Sequence, residues 1–110
     1  MISISSIGDP VAPRRPSART ELAAKRIGEY LVTWRKLHGL TAAQVAERAQ
    51  ISRGTLTALE SGKGGVRLGT FLGVARSLGV LDRVVEALDP YESDLGRARA
   101  DEVLPKRVRR

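Results

Sequence analysis

The sequence predicts an all-α protein built from short amphipathic helices. Apolar residues recur at three- and four-residue steps in several stretches of the chain. Gly39, Gly62 and Gly79 follow such stretches at the position where glycine commonly ends a helix. We therefore expect one folded domain over residues 17–88 of the 110, between an arm at 1–16 and a tail at 89–110.

The first predicted helix begins between Ser17 and Thr20 and runs to His38, before Gly39. Its apolar residues are expected to face the core: Leu22, Ile27, Tyr30, Leu31, Trp34 and Leu37. His38 is interpreted as a residue at the helix C-terminus that the helix dipole favours. The preceding residues 1–16 hold three of the five prolines and show no helical period, which predicts a disordered arm.

Residues 41–63 predict two short helices joined by a tight turn. Thr41 and Gln44 have the spacing of a capping box, in which each side chain bonds the backbone N–H of the other residue. An apolar stripe over residues 42–49 follows, and Ser52 is a second N-cap. The segment therefore holds two helix starts within twelve residues.

The second of these helices has an unusually small outward face. Leu56 and Leu59 should point inward, with Thr55 as a small contact between them. The outward positions are predicted to be Arg53, Gly54, Thr57 and Ala58. Such a face can approach another surface closely, and an Arg fork suits the paired acceptors of a guanine edge in a DNA major groove.

The pattern Leu40-Thr41, Val45-Ala46, Ile51-Ser52, Thr55, Leu59-Glu60 and Gly62 resembles the helix-turn-helix of the Xre family, the lambda-repressor-like or Cro/cI-type DNA-binding domains. The resemblance covers residues 27–88. It implies a five-helix domain in which 41–49 is the positioning helix and 52–61 the recognition helix in the major groove. It also implies a structural ion pair between Arg35 and Glu60.

The resemblance carries expected DNA contacts onto matching positions of this chain. Of the expected base readers only Arg53 can make a bidentate contact, worth about 1–3 kcal/mol of discrimination. In the family, the residue after the N-cap of the positioning helix is frequently a Gln that contacts a phosphate. This position is Ala42 here, so either Gln44 makes that contact or it is absent. The full expected DNA-binding set is Thr41, Gln44, Ser52, Arg53, Gly54, Thr55, Thr57, Ala58, Ser61 and Lys63.

Two further helices are predicted, over Leu68 to Leu78 and Val80 to Leu88. The inward residues of the first should be Leu68, Phe71, Leu72, Ala75 and Leu78. The second has more apolar surface than one layer of a small domain buries, which suggests a homodimer. The expected interface is Leu81, Val84, Val85 and Leu88, unless these residues simply close the monomer core.

The tail holds a possible helix from Ser93 to Val103 and a basic end. It looks like the tail of short Xre regulators of the HipB-like antitoxin type, which implies a HipA-like Ser/Thr kinase as partner and autoregulation of the operon. A solvated tail, or a basic extension that adds phosphate contacts, stays open as an alternative.

The amino-acid composition limits the classes of function that the chain can have. The net charge is +7, and residues 21–88 hold ten basic against six acidic residues, which suits a polyanionic partner. The N-terminal arm could contact DNA through the basic side chains of Arg14, Arg15 and Arg19, or it could be an inert leader; the sequence does not decide between the two. With no Cys and one His, no metal site, cofactor site or catalytic pair is expected, so the chain is not interpreted as an enzyme.

No apolar stretch reaches the ~18 residues typical of a membrane span, so a cytoplasmic protein is the simplest expectation. The leading interpretation is a sequence-specific DNA-binding repressor, the antitoxin of a toxin–antitoxin pair. A stand-alone Xre-type regulator is one alternative, and a protein-interaction adaptor that has lost DNA binding is the other.

Overall fold

The computed structural model describes residues 17–104, apart from the side chain of residue 101, and this part of the chain is all-α as predicted. The predicted arm at 1–16 and the basic end at 105–110 lie outside the described residues. The helices are α1 Ala18–Leu37, α2 Ala42–Ala49, α3 Arg53–Glu60, α4 Leu68–Ser77, α5 Leu81–Ala87 and α6 Asp94–Val103, with a 3-10 turn at Pro90–Glu92 between the last two. None of these helices is both long and apolar enough to cross a membrane.

The predicted helix boundaries follow from local capping. The Ser17 hydroxyl accepts a hydrogen bond from the Thr20 N–H at 3.1 Å and starts α1. The Thr41–Gln44 capping box is confirmed, with both reciprocal bonds formed at the start of α2. Gly39, which follows α1, has a φ of 69°, a left-handed conformation that residues with a side chain rarely adopt. Sequence-local chemistry therefore defines where these helices begin and end.

The hydrophobic core lies where α2, α3 and α4 meet the middle of α1. Side chains from these helices and from the residue before α5 exclude water together. The buried members are Leu31, Val45, Ala46, Leu56, Leu59, Val74, Ala75, Leu78 and Val80. Because α2 and α3 each contribute two of them, the pair is held as one unit on the rest of the domain.

The predicted core face of α1 is largely wrong. Leu31 is buried and Trp34 half-buried, but Leu22, Ile27, Tyr30 and Leu37 are exposed. The buried residues of α1 are Gly28 and Leu31, so the helix packs through a different side from the one its apolar residues outline. The reason is that α1 meets α3 through a glycine, which an apolar periodicity does not register.

A similar shift occurs in α4. Leu68 was predicted to point inward but is exposed, whereas Val74 is fully buried. The stripe that packs on the core runs over Phe71, Val74, Ala75 and Leu78, so it begins one turn later than predicted.

The C-terminal end of α1 is tied to α4 and α5 by a polar and aromatic contact that the sequence did not predict. His38 Nε2 lies 2.7 Å from the Leu78 carbonyl oxygen and, because a carbonyl only accepts, must donate the proton. The His38 ring stacks on Trp34 with centroids 6.2 Å apart, and the Arg83 guanidinium lies 5.5 Å from the Trp34 centroid. His38 thus has a tertiary role beyond its place at the helix end.

The crossing of α1 and α3 requires a glycine at position 28. A Cβ built on Gly28 would lie 2.7 Å from the Leu59 carbonyl oxygen and closer still to that of Glu60. Real Cβ atoms do not approach backbone that closely, so any larger residue must push the two helices apart.

We predict that Gly28→Ala lowers the free energy of unfolding by about 1–3 kcal/mol, because overpacking against backbone carbonyls cannot relax by a side-chain rotation. The matched control is Gly69→Ala, since a Cβ there meets nothing within 4 Å. That control should raise stability by up to about 1 kcal/mol through helix propensity. Urea unfolding of both variants checks this, and a Gly28→Ala protein as stable as the wild type would contradict the crossing.

Candidate functional site

The turn between α2 and α3 sets the direction of α3. Gln50 ends α2 in a left-handed conformation with a φ of 58°, and the Ile51 N–H donates to the Ala46 carbonyl at 2.9 Å. Ser52 then caps α3, because its hydroxyl accepts from the Thr55 N–H at 3.0 Å. Ile51 packs against the core, so this turn is anchored on both sides.

One side of α3 is fixed to the domain and the other is free. Leu56 and Leu59 are 1% and 8% exposed and hold the helix to the core. Arg53, Gly54 and Thr57 are exposed. A Cβ on Gly54 would meet only the Ser52 hydroxyl, at 3.9 Å, so the absence of a side chain there is not demanded by packing.

The free side of α3 borders a cleft of about 660 Å³, which we call the recognition cleft. Its other wall is the connection from α3 to α4 and the first turn of α4. Five of the predicted DNA-binding residues line this cleft: Ser52, Gly54, Thr55, Ala58 and Lys63. Thr55 and Ala58 are half-buried, so Ala58 is less outward than predicted.

The remaining predicted residues stand apart from the recognition cleft. Arg53 and Thr57, four residues apart on α3, are exposed but do not line it. Thr41 and Gln44 lie at the start of α2, where the side-chain oxygen of Gln44, Oε1, accepts from the Thr41 N–H at 2.9 Å. The capping box therefore leaves the Gln44 amide nitrogen as the group that can donate outward. The Ser61 hydroxyl donates to the Ala58 carbonyl at 3.1 Å and is used within the helix end.

Arg35 and Glu60, which the sequence pairs by resemblance, form a bidentate ion pair. Arg35 Nε and Nη2 lie 2.8 and 3.2 Å from the two Glu60 carboxylate oxygens, and Arg35 Nη1 donates to the Leu40 carbonyl at 3.4 Å. The side chains are 15% and 14% exposed, a range in which loss of one partner typically costs about 3–5 kcal/mol. The pair also neutralises the single carboxylate of α3, so the free side of this helix presents no unbalanced negative charge.

Two residues with polar side chains at the recognition cleft were not among the predicted site residues. Arg67 and Thr70 line its α4 wall, and Arg67 is exposed. Arg67 occupies the N-cap position of α4 without a capping side-chain hydrogen bond. The sequence signal that could have identified it is an Arg at a helix start, where Ser, Thr, Asp or Asn is preferred.

The expected dimer residues divide into two pairs. Leu81 and Val84 are half-buried and pack against the core of their own chain. Val85 and Leu88 are 60% and 81% exposed and leave an apolar surface on the outer side of α5.

The described part of the tail, residues 89–104, forms a compact unit with few ties to the core. Ser93 caps α6 by accepting from the Gly96 N–H at 2.9 Å, and a Cβ on Gly96 would collide with the Pro90 carbonyl oxygen. Arg97 donates to the Tyr91 carbonyl and pairs with Asp94 at 2.6 Å. The unit has four exposed large apolar residues: Tyr91, Leu95, Val103 and Leu104.

Comparisons with known proteins agree with the geometry of α2 and α3. A family model described as a helix-turn-helix domain matches residues 26–88, more than half of the chain. No match was found among curated proteins or among solved structures. In the described residues, no group of three or more His, Cys, Asp or Glu side chains is arranged to hold a metal ion.

Proposed function

The chain belongs to the helix-turn-helix domain family, and we propose that it is a sequence-specific transcriptional repressor that binds its operator as a homodimer. We further propose that it is the HipB-like antitoxin of a toxin–antitoxin pair and holds a HipA-like kinase inactive. The homodimer and the antitoxin role both build on the DNA-binding role.

The orientation of α3 carries the DNA-binding proposal. Its leucines are buried while Arg53 and Thr57 are exposed side by side, next to a cleft whose α3 wall is made small by Gly54 and Ala58. A helix presented in this way fits a major groove, where Arg53 supplies a bidentate donor and the methyl groups of Thr57 and Ala58 suit thymine. Lys63 and Arg67 add positive charge at the recognition cleft for the flanking phosphates.

We predict that Arg53→Ala weakens binding to an operator selected from a random duplex library by about 1–3 kcal/mol and relaxes preference at one base pair. The control is Arg99→Ala, which removes the same charge from exposed α6. Titration of labelled duplexes with each base substituted checks this. An Arg53→Ala protein with the wild-type base preference would argue against α3 as the reader.

The homodimer is proposed to form through the outer side of α5. Val85 and Leu88 are exposed, and a domain of this size buries only about 60% of its chain surface alone, so a partner copy adds needed burial. A two-fold pairing would place two recognition helices on half-sites about 34 Å apart. Leu81 and Val84 then support the interface from within each chain.

We predict that Leu88→Asp converts the protein to a monomer, because a carboxylate at the pairing surface would be desolvated without a partner. At 81% exposure the substitution should leave the monomer fold intact. Leu37→Asp, at a residue 70% exposed on α1, is the control and should remain dimeric. Light scattering measures the mass, and an unchanged mass for Leu88→Asp would refute this interface.

The tail, residues 89–110, is proposed as the segment that binds the kinase. Within its described part the 3-10 turn and α6 are locked together by Gly96 and Arg97, yet Leu95 is 69% exposed. A rigid small unit with exposed apolar side chains is suited to a protein partner.

The alternatives are a stand-alone regulator without a toxin and an adaptor that has lost DNA binding. A flat salt response of duplex binding would favour the adaptor.

We predict that full-length tagged protein purified from its native cells carries a HipA-like kinase, identified by mass spectrometry. Leu95→Asp should abolish this co-purification while duplex affinity stays unchanged, and Leu37→Asp should retain the kinase. Co-purification of no kinase, or equal recovery with Leu95→Asp, would remove the antitoxin role but leave the DNA-binding role standing.

A further inference from the structure

The N-terminal part of α1 lies outside the matched family region. The match begins at residue 26, whereas α1 already begins at Ala18. We call residues 18–25 the α1 extension. It is part of the same continuous helix whose later turns cross α3 at Gly28.

Glycine packing places the α1 extension against the connection that follows α3. Gly62 has a φ of 80°, and a Cβ on it would lie 2.5 Å from Lys25 Cα. The backbones therefore touch at this point. The contact involves the backbone of Lys25 and leaves its exposed side chain free to extend.

Between the extension and this connection lies a second cleft of about 610 Å³, which we call the extension cleft. Lys25 lines one wall and Lys63 the other, and neither forms an ion pair with any side chain that the structure describes. Glu21 is the acidic residue that also lines it. The two lysines thus give a net positive site.

The connection between α3 and α4 separates this cleft from the recognition cleft. Lys63, Gly64 and Gly65 line both of them. These three residues form a ridge between the two clefts. A Cβ on Gly64 or Gly65 would meet nothing within 4 Å, so the backbone of the ridge is uncovered. A polyanion lying along α3 would therefore pass over the ridge and meet Lys25 next.

We propose that Lys25 binds a backbone phosphate of the DNA, together with Lys63, so that the α1 extension lengthens the DNA footprint beyond the bases that α3 contacts. This inference rests on the proposed DNA-binding function. A phosphodiester backbone fits better than a small free anion because the positive side chains are spread over two neighbouring clefts: Arg67 lines the recognition cleft, Lys25 lines the extension cleft, and Lys63 lines both. Glu21 opposes the contact and limits its strength.

The test compares Lys25→Ala with Arg26→Ala, which removes the same charge from the adjacent exposed residue that does not line the extension cleft. Binding to the selected operator and to a random duplex of about 30 base pairs is titrated from about 50 to 300 mM potassium chloride. Alanine keeps the Cβ at position 25, so the packing on Gly62 is preserved. Thermal unfolding confirms that both variants are folded.

For Lys25→Ala we expect affinity for both duplexes to fall about three- to tenfold at low salt and the slope of log affinity against log salt to decrease by about 1, since one phosphate contact is lost. Arg26→Ala should keep the wild-type slope, and Lys25→Arg should restore it. Glu21→Gln should change affinity in the opposite direction and strengthen binding.

Wild-type slopes for Lys25→Ala, or equal losses for Lys25→Ala and Arg26→Ala, would overturn the phosphate contact while the proposed function stood. Failure of the wild-type protein to bind any duplex would overturn both.

Discussion

The contact between α1 and α3 is the constraint on which the other features depend. Three kinds of interaction meet along it: the bare backbone of Gly28 under the α3 carbonyls, the bidentate Arg35–Glu60 ion pair, and Gly62 on the backbone of Lys25. The glycines set the distance between the two helices, and the ion pair sets their relative position along their axes. Because α3 spans only Arg53–Glu60, it would be marginal as an isolated helix and takes its rigidity from this contact.

The same contact also shapes the electrostatics of the candidate site. Glu60 would otherwise place a carboxylate at the end of a helix that is proposed to meet phosphates. Arg35 of α1 compensates this charge by pairing directly with Glu60, and its Nη1 also donates to the Leu40 carbonyl. The positive side chains at the recognition cleft, Lys63 and Arg67, are then left without an acidic neighbour on α3. One ion pair thus serves the packing of the helix and the charge of the surface next to it.

The sequence predicted those features that have local causes. Helix starts were predictable because Ser17, Thr41 and Ser52 bond to amides three residues away, and the ends because Gly39, Gly62 and Gly79 adopt positive φ. The side of α1 that packs on the core was not predictable. Apolar periodicity outlines Leu22, Tyr30 and Leu37, whereas burial is decided by where a neighbouring backbone can approach. The bond from His38 to Leu78 spans forty residues and has no periodic signal. The orientation of Leu56 and Leu59 was predictable because α3 follows a regular period between two clear caps.

Small residues around α3 serve two opposite purposes. On its inner side Gly28 and Gly62 are required, because an added methyl group would collide with backbone. On its outer side Gly54, Gly64 and Gly65 leave space that no part of the described chain fills. Glycine costs conformational entropy wherever it occurs in a helix, so Gly54 lowers stability without any packing gain in return. A residue that weakens the fold and opens a surface is best explained by what approaches that surface. For α3, the shape and charge of its free side fit the edge of a DNA duplex.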